Sequence, residues 1–560
     1  MTSPARRAHA LLSGPVPLLI ALAGYCVAVG LVHWNRPARA DVIILVLRYA
    51  LVLPVLVFFI RNRRGAGESR WKLPPVRLQA AVFVLVAAPL AWYWGRGQTV
   101  SDESGYRFQA RLFASGTIAA EAPPIRLDAF PRVRNNEIPF AGDILYAGRW
   151  FSKYPPGWPA VLALAEQLRA GWLASLLLSG GILVLTGTLA KLAFDRTTAR
   201  LAVLLSIASP YFLYNSMGYL SHPLCGVLVA AAAYFCLAGI RGRSRAAFWA
   251  MFAALAMAAQ VRPFTAFCVG LVLGPCALWA VRKERAMAAA VLSAGIVCGA
   301  CAIGGAAIYN HALTGSYWRS TYALARGTNI PIEVTPSLKV LSRNLQYERR
   351  WSVEATAIFT FPFLFLTAAW CTLQEARRRT EVAVPALLFA VVAAGYLIQP
   401  ESSTCPYGER YYFEVFFAAA ILAARGIVLI AQSGPGSARA ISHALVGLLA
   451  AQGCVFVVCT PIMAGHTRYF AQVGEAFARV TSPGTVVFVP DVSAEDYLDN
   501  ARNFNPNPAD WRKAPAVYLP DPGEANRDEE TRRLGRSRWI LLRKDGGSDA
   551  VVQALAKSLD

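Results

Sequence analysis

Five short segments of this chain hold residue types that could carry out a group transfer, and each lies at the edge of an apolar run. The first reads Ser101-Asp102-Glu103-Ser104-Gly105-Tyr106, and the second Phe151-Ser152-Lys153-Tyr154-Pro155-Pro156-Gly157-Trp158-Pro159. The others are Tyr219-Leu220-Ser221-His222-Pro223, Gln260-Val261-Arg262-Pro263-Phe264-Thr265 and Tyr407-Gly408-Glu409-Arg410-Tyr411-Tyr412. Adjacent carboxylates beside a membrane cost free energy unless they pair or work. Asp102 could accept the proton of an incoming hydroxyl as a general base, with Glu103 as its neighbour. Lys153 could hold a phosphate, and the planar forks of Arg262 and Arg410 suit bidentate phosphate binding. A carboxylate pair, a lysine, a histidine and two arginines at one membrane face are what a reaction with a phosphate leaving group requires.

Each residue also has a plainer reading. Asp102 or Glu103 could cap the helix expected from Tyr106 to Phe113. Lys153 could be an interfacial lysine that reaches for water, Arg262 and Arg410 lipid-headgroup anchors, and His222 a structural histidine. The convergence of all five segments outweighs these readings taken singly. A divalent metal stays open, because Asp102, Glu103 and His222 are suitable ligands but no ligand spacing is diagnostic. No other cofactor is expected.

The elements that must position these residues are membrane spans. The chain has 560 residues, of which 56% are hydrophobic and 16% charged, which excludes an ordinary soluble globule. Apolar runs long enough to cross a bilayer are expected near 14–34, 41–60, 75–95, 171–194, 201–218, 223–240, 247–261, 263–281, 287–309, 353–373, 382–399, 411–432 and 440–462, about thirteen in all. The first run lacks a convincing cleavage site and reads as a retained helix. The net charge of +22 comes from Lys and Arg clustered between apolar runs, a topology signal rather than a nucleic-acid-binding stripe. Of the eleven cysteines all but Cys405 lie in apolar runs, so neither a disulfide framework nor a CxxC metal site is expected.

With a cytoplasmic N-terminus, Arg61, Arg63, Arg64, Arg70 and Lys72, then Arg196 and Arg200, Arg241 to Arg245, Arg282 to Arg285 and Arg377 to Arg379 all fall inside. The outer loops are then 96–170, 310–352 and 400–410. The weak step is Arg262-Pro263, which could kink one long helix instead of separating two; the Arg377–Arg379 triplet argues for two. Inside the spans, Arg48 and Glu414 are the doubtful ionisable residues. Residues 1–462 form the membrane domain, and 463–560 an outer, small α/β domain. Its strands are expected at Val486–Val489, Ala516–Leu519 and Trp539–Leu542, and its final helix near Ala550 to Leu559. No nucleotide-binding glycine loop occurs there, and the domain reads as a lid or acceptor-docking module.

Asp102-Glu103-x-x-Tyr106 after an early span, Lys153-Tyr-Pro-Pro-Gly, Arg262-Pro-x-Thr265 and Tyr309-Asn310-x-x-Leu313-Thr314-Gly315-Ser316 together resemble the bacterial branch of the GT-C glycosyltransferases. That branch includes protein O-mannosyltransferases and the lipid A aminoarabinose transferase, and the similarity covers about residues 75–420. The resemblance implies a polytopic α-helical bacterial inner-membrane protein that transfers a sugar from a polyprenyl-phosphate donor to a lipid, polysaccharide or protein acceptor at the periplasmic face. It makes Asp102 the base, with Glu103 its neighbour, and Lys153 and, by a looser match, Arg262, Arg410 and His222 the phosphate side; Tyr106, Tyr154 and Tyr411 are expected to line the substrate pocket. In one respect the chain departs from the family: Ser152 stands where relatives often carry an acidic residue before the lysine. A second carboxylate would then come from Glu103, Asp143 or Glu409. A flippase for lipid-linked saccharides is the rival class; it predicts charged mid-bilayer helices and an internal repeat, neither clear here. A ligase for whole glycans is a third reading.

Overall fold

The computed structural model describes residues 73–94, 102–130, 142–326, 340–342, 344, 362–377, 379–399, 410–432, 441, 482–489, 505–544 and 551–559. The expected spans 14–34 and 41–60, nearly all of 440–462, and Arg48, Cys405 and Glu409 lie outside the described residues.

The described chain begins with α1 (Val76–Trp94), followed by α2 (Asp102–Ala114). A three-stranded antiparallel sheet follows, made of β1 (Ala120–Glu121), β2 (Asp143–Tyr146) and β3 (Arg149–Ser152) in the order β1-β3-β2. Next come α3 (Gly157–Gln167), α4 (Gly171–Ala193), α5 (Arg196–Ile207), α6 (Pro210–Asn215), α7 (His222–Gly242), α8 (Arg245–Ala259), α9 (Pro263–Val281), α10 (Arg285–Thr314) and the short α11 (Thr321–Arg326). Beyond them lie α12 (Pro362–Glu375), α13 (Thr380–Ile398), and a 3-10 turn Arg410–Val415 that runs into α14 (Phe416–Ala431). Seven helices among the described residues are long and apolar enough to cross a membrane, which makes this a multi-pass membrane protein. At 1.5 Å per residue α10 is about 45 Å long, longer than a hydrocarbon core.

The run 201–218 does not form the single span expected of it. It breaks into α5 and α6, because Pro210 lacks the N–H that would continue α5 and its ring would clash with the preceding turn. Ser209 turns the break into a start: its hydroxyl accepts the Phe212 N–H at 3.4 Å, with proline at the favoured first position. The Arg262-Pro263 junction does separate two helices. Arg243 Nη1, ahead of α8, donates to the Ala280 carbonyl near the end of α9 at 3.4 Å, and Gly274 faces the Phe252 ring. Residues so distant in sequence meet only if α8 and α9 form a hairpin.

The far end of that hairpin gathers the basic turns. Arg241 donates to the Leu192 carbonyl and pairs with Glu381 at 2.6 Å, and Arg243 pairs with Glu284 at 3.1 Å. Arg425 of α14 meets Glu375 at 2.8 Å and Asp195 at 3.7 Å. The other end carries α2, the start of α3, the α6–α7 and α8–α9 turns and Arg410.

The C-terminal region contributes β4 (Thr485–Val489), β5 (Ala516–Pro520), α15 (Glu524–Arg533), β6 (Arg538–Lys544) and β7 (Val551–Ser558). Their sheet order is β5-β4-β6-β7, with β4 parallel to β5 and β6, and β7 antiparallel to β6. The expected strands are present. The expected final helix over 550–559 is not: that stretch is β7, with Arg538 opposite Ser558 and Lys544 opposite Val551. Its helix-forming Ala, Leu and Lys are overridden by the open edge of β6, since propensity is weaker than tertiary pairing. This sheet does not stand apart from the membrane-proximal loop. Val486, Phe488, Trp511, Val517 and Leu541 share one buried apolar cluster with Phe108, Leu112, Trp150 and Phe151.

Candidate active site

Asp102 opens α2, and its carboxylate is not used to cap the helix. Oδ1 accepts the Tyr154 hydroxyl at 2.6 Å, and Oδ2 accepts Arg410 Nη2 at 2.7 Å. Burial alone would raise its pKa, but Arg410, then Lys153, the Tyr154 bond and Arg262 together outweigh that and hold it below the ordinary carboxylate value. Asp102 is therefore ionised at neutral pH. Burial, reinforced by the Asp102 charge, pushes the Tyr154 phenol far up, so it stays a donor.

The segment Lys153-Tyr-Pro-Pro-Gly is fitted to this place by two glycines. A Cβ on Gly105 would come within 2.7 Å of the Tyr154 ring, so glycine there lets Tyr154 lie on α2. A Cβ on Gly157 would come within 2.7 Å of the Gln260 carbonyl, the same atom that accepts the Gly157 N–H at 2.8 Å. The lysine segment is thereby docked onto the turn that carries Arg262. Thr321 of α11 adds a bond to the Lys153 carbonyl at 2.6 Å, and the Lys153 ammonium lies 5.7 Å from the Tyr154 ring centroid. Tyr154 stacks between Tyr106, at 4.1 Å between centroids, and Tyr322, at 5.7 Å edge-on.

Behind this rim lies a second charged cluster, centred on Glu414. Its carboxylate is fully buried and pairs with Arg262 Nε, with His222 Nδ1 at 2.9 Å, and with the Thr265 hydroxyl. The Arg262 fork is spent here: Nη2 donates to the Tyr396 hydroxyl at 3.2 Å and Nη1 to Ser221 Oγ at 3.4 Å. Ser221 Oγ in turn lies 2.9 Å from the Tyr106 hydroxyl, linking the two clusters. Tyr411 covers the charge, with its ring stacked on Tyr396 at 4.3 Å and 4.8 Å from the Arg262 guanidinium carbon. The 3-10 turn supplies both clusters, Arg410 to Asp102 and Glu414 to Arg262.

Asp102, Lys153, Tyr154, Tyr106 and Arg410 thus come together as one rim, while Arg262, His222 and Tyr411 gather around Glu414. Glu103 points elsewhere: it is buried, and its Oε1 accepts the Tyr219 N–H at 3.0 Å. Asp143 is also buried and takes the amide of Asn505 at 2.5 Å. Glu414 is the functional-looking carboxylate whose role the sequence did not disclose, although an ionisable residue inside an apolar run was its signal. Tyr322 and Tyr396 carried no signal at all. Among the described residues no group of three His, Cys, Asp or Glu side chains is gathered as metal ligands.

No protein-family model and no curated protein matches this sequence. Solved structures do. ArnT from Cupriavidus metallidurans bound to undecaprenyl phosphate is similar over 82% of this chain and 92% of its own, at a TM-score of 0.47 and 14% identity. The Archaeoglobus fulgidus oligosaccharyltransferase is similar over 82% of this chain and 69% of its own, at a TM-score of 0.46 and 12% identity. The arabinosyltransferase EmbB from Mycobacterium smegmatis is similar over 79% of this chain and 45% of its own, at a TM-score of 0.39 and 13% identity. These three solved structures are GT-C membrane glycosyltransferases.

Proposed function

We propose that the chain is an inner-membrane glycosyltransferase that moves a sugar from a polyprenyl-phosphate donor onto a hydroxyl acceptor at the periplasmic face, with Asp102 as general base. The observation that carries this reading is the Asp102 rim: an ionised carboxylate held between Arg410 and Tyr154, with Lys153 beside it. The donor phosphate lies against Lys153 and Arg410, with the Arg262 charge behind them and His222 supporting that charge through Glu414. The acceptor O–H gives its proton to Asp102 as its oxygen forms the new bond to the anomeric carbon. The bond from that carbon to the phosphate oxygen breaks, and polyprenyl phosphate leaves with the electron pair. Attack from the side opposite the leaving group inverts the anomeric centre. Lys153 and Arg410 stabilise the charge that grows on the departing phosphate, and the tyrosines that exclude water strengthen the effect.

The resting Arg410–Asp102 pair also suggests a sequence of events. A phosphate that draws the Arg410 fork toward itself frees Asp102 from its counter-ion and raises its basicity when the acceptor needs a base. Accordingly Glu103, buried on the Tyr219 amide, supports the start of α2 rather than sharing the proton. The basic turns at the opposite end of the bundle support a cytoplasmic placement of that end and a periplasmic placement of the rim and of residues 463–560. The acceptor class, lipid, polysaccharide or protein, is left to experiment.

The test is transfer activity in membranes holding the wild type or Asp102→Asn at matched protein levels, with a panel of radiolabelled polyprenyl-phosphate sugars. Transfer by the wild type that collapses in the variant while donor binding persists supports the reading. Full activity in the variant removes Asp102 from the mechanism, and donor movement across the bilayer without transfer replaces the transferase with a flippase.

A further inference from the structure

Asn505 and Asn507 lie in the Pro- and Asn-rich stretch before β5, and both are buried. Buried amides need partners, and these two find theirs on opposite sides. Asn507 faces its own sheet: Oδ1 accepts the Tyr518 N–H at 2.9 Å and Nδ2 donates to the Tyr518 carbonyl at 2.8 Å. Its backbone N–H and Nδ2 also both reach Asn505 Oδ1 at 2.9 Å. Asn505 faces the membrane-proximal loop. Its N–H donates to Ser104 Oγ at 2.7 Å, and its Nδ2 to Asp143 Oδ2 at 2.5 Å. Its carbonyl accepts Arg111 Nη2 at 2.5 Å, while the Asn507 carbonyl accepts Arg111 Nε at 3.1 Å.

The anchor points of this hook are close to the rim. Ser104 follows Asp102 in the same turn of α2. Asp143 stands opposite Ser152 in the β2–β3 pair, and the Lys153 N–H donates to the Gly142 carbonyl at 2.8 Å. Gln109 of α2 closes the circuit, its Oε1 accepting the Ser152 N–H at 2.9 Å. The backbone segments that bear Asp102 and Lys153 are therefore both tied to one asparagine of the C-terminal region.

We propose that Asn505 is a positioning residue: the C-terminal sheet braces the rim, holding Asp102 and Lys153 in mutual register, and is not a lid that swings over it. The catalytic consequence rests on the proposed roles of those two residues, whereas the brace itself does not. Because misplacement of a catalytic group by about 1 Å can cost on the order of 100-fold in rate, a loosened brace acts on turnover more than on donor affinity.

The experiment uses the full-length protein in nanodiscs and reads two quantities, backbone hydrogen exchange and transfer kinetics. Asn505→Asp sets a second carboxylate against Asp143. It is expected to raise exchange in residues 102–114 and 149–154 and to lower kcat roughly tenfold or more, with KM for the donor changed less than about threefold. The double change Asp143→Asn with Asn505→Asp exchanges donor and acceptor at constant net charge, and is expected to restore both. Arg512→Ala, which removes the exposed pair with Glu121 elsewhere on the same interface, is expected to leave both at wild-type values. Should Asn505→Asp fail to accumulate, Ser104→Ala, which removes one anchor, takes its place in both measurements. Unchanged exchange in the single variant overturns the brace, and so does raised exchange that the double change fails to restore. Exchange that rises and is restored with kcat unmoved overturns the positioning role. A wild type without transfer activity sinks the transferase reading alone, since the exchange measurements still decide the brace.

Discussion

Asp102 and Glu414 are both carboxylates paired to an arginine, and one turn of 3-10 helix serves both, yet their surroundings are opposite. The Asp102 side chain keeps 25% of its surface exposed and has two partners, Arg410 and Tyr154, that face the rim. Glu414 has none of its surface exposed and is closed in by Arg262, His222 and Thr265. An ion pair that still reaches water can exchange a partner for a ligand at little cost. One with every partner buried cannot, because removal of either charge strands the other in a medium that solvates it poorly. The contrast fits the proposed role of Asp102 in proton transfer and gives Glu414 an architectural one: the Asp102 carboxylate is the member of its pair that reaches the rim, whereas Glu414 holds Arg262 from within.

The largest expected effect separates the two directly. Asp102→Asn should lower turnover by about 10²- to 10⁴-fold, the usual weight of a general base, while costing less stability than loss of Glu414, because the asparagine amide keeps an oxygen to accept from Tyr154 or Arg410. Transfer assays and thermal unfolding of the same preparation check this, and a large loss of stability would erase the distinction. Glu414→Ala should do the reverse in origin: it leaves Arg262 buried without its carboxylate, at a cost of about 3–5 kcal/mol, read as a lowered unfolding midpoint. An unshifted midpoint would show Glu414 to be dispensable to the architecture.

A pH profile sharpens the comparison next. Burial raises the Asp102 pKa, but Arg410, Lys153, Tyr154 and Arg262 bring it below 3.8, so the carboxylate stays ionised to more acid pH than an ordinary aspartate allows. Stability carried by the ionised pair is present above the unfolded value and is lost as pH falls through the lower folded value. With Arg410→Gln the burial penalty loses its main opponent. The acid limb of kcat/KM, which reports the free enzyme where Arg410 still pairs with Asp102, is then expected at higher pH than in the wild type. A limb that stays in place would mean that Arg410 does not set the state of Asp102. The smallest effect belongs to Thr265→Val, which removes one of several bonds to Glu414 and should cost about 1 kcal/mol in the same unfolding measurement, with turnover little changed.

Much of this arrangement was legible in residue types at membrane edges. The five segments that hold Asp102, Lys153, His222, Arg262 and Arg410 stood out because charged and proline-rich stretches interrupt apolar runs, and the structure brings all five to one end of the bundle. Other features were hidden for identifiable reasons. The break at Ser209-Pro210 was lost in a continuous apolar run because hydropathy does not register a missing N–H. The stretch 550–559 reads as a helix in composition but becomes β7, because the edge of β6 is available to it. Asp102 and Glu103 read as a pair, but consecutive positions on a helix point about 100° apart, and their carboxylates reach Tyr154 and the Tyr219 amide respectively.

By itself, the sequence determined the membrane class, the seven long apolar helices among the described residues, the clustering of basic residues in turns between them, and a list of residues with the chemistry for a phosphate-linked transfer. Those properties are written in local composition and periodicity, which survive without tertiary contacts. Only the tertiary structure decided which carboxylate meets which arginine, that Glu414 closes a buried cluster while Asp102 faces the rim, and that Asn505 ties a distant sheet to the helix carrying Asp102. Such pairings join residues up to about four hundred positions apart, as with Asn505 and Ser104, and no local pattern records which of many chemically equivalent partners the folded packing brings within bonding distance.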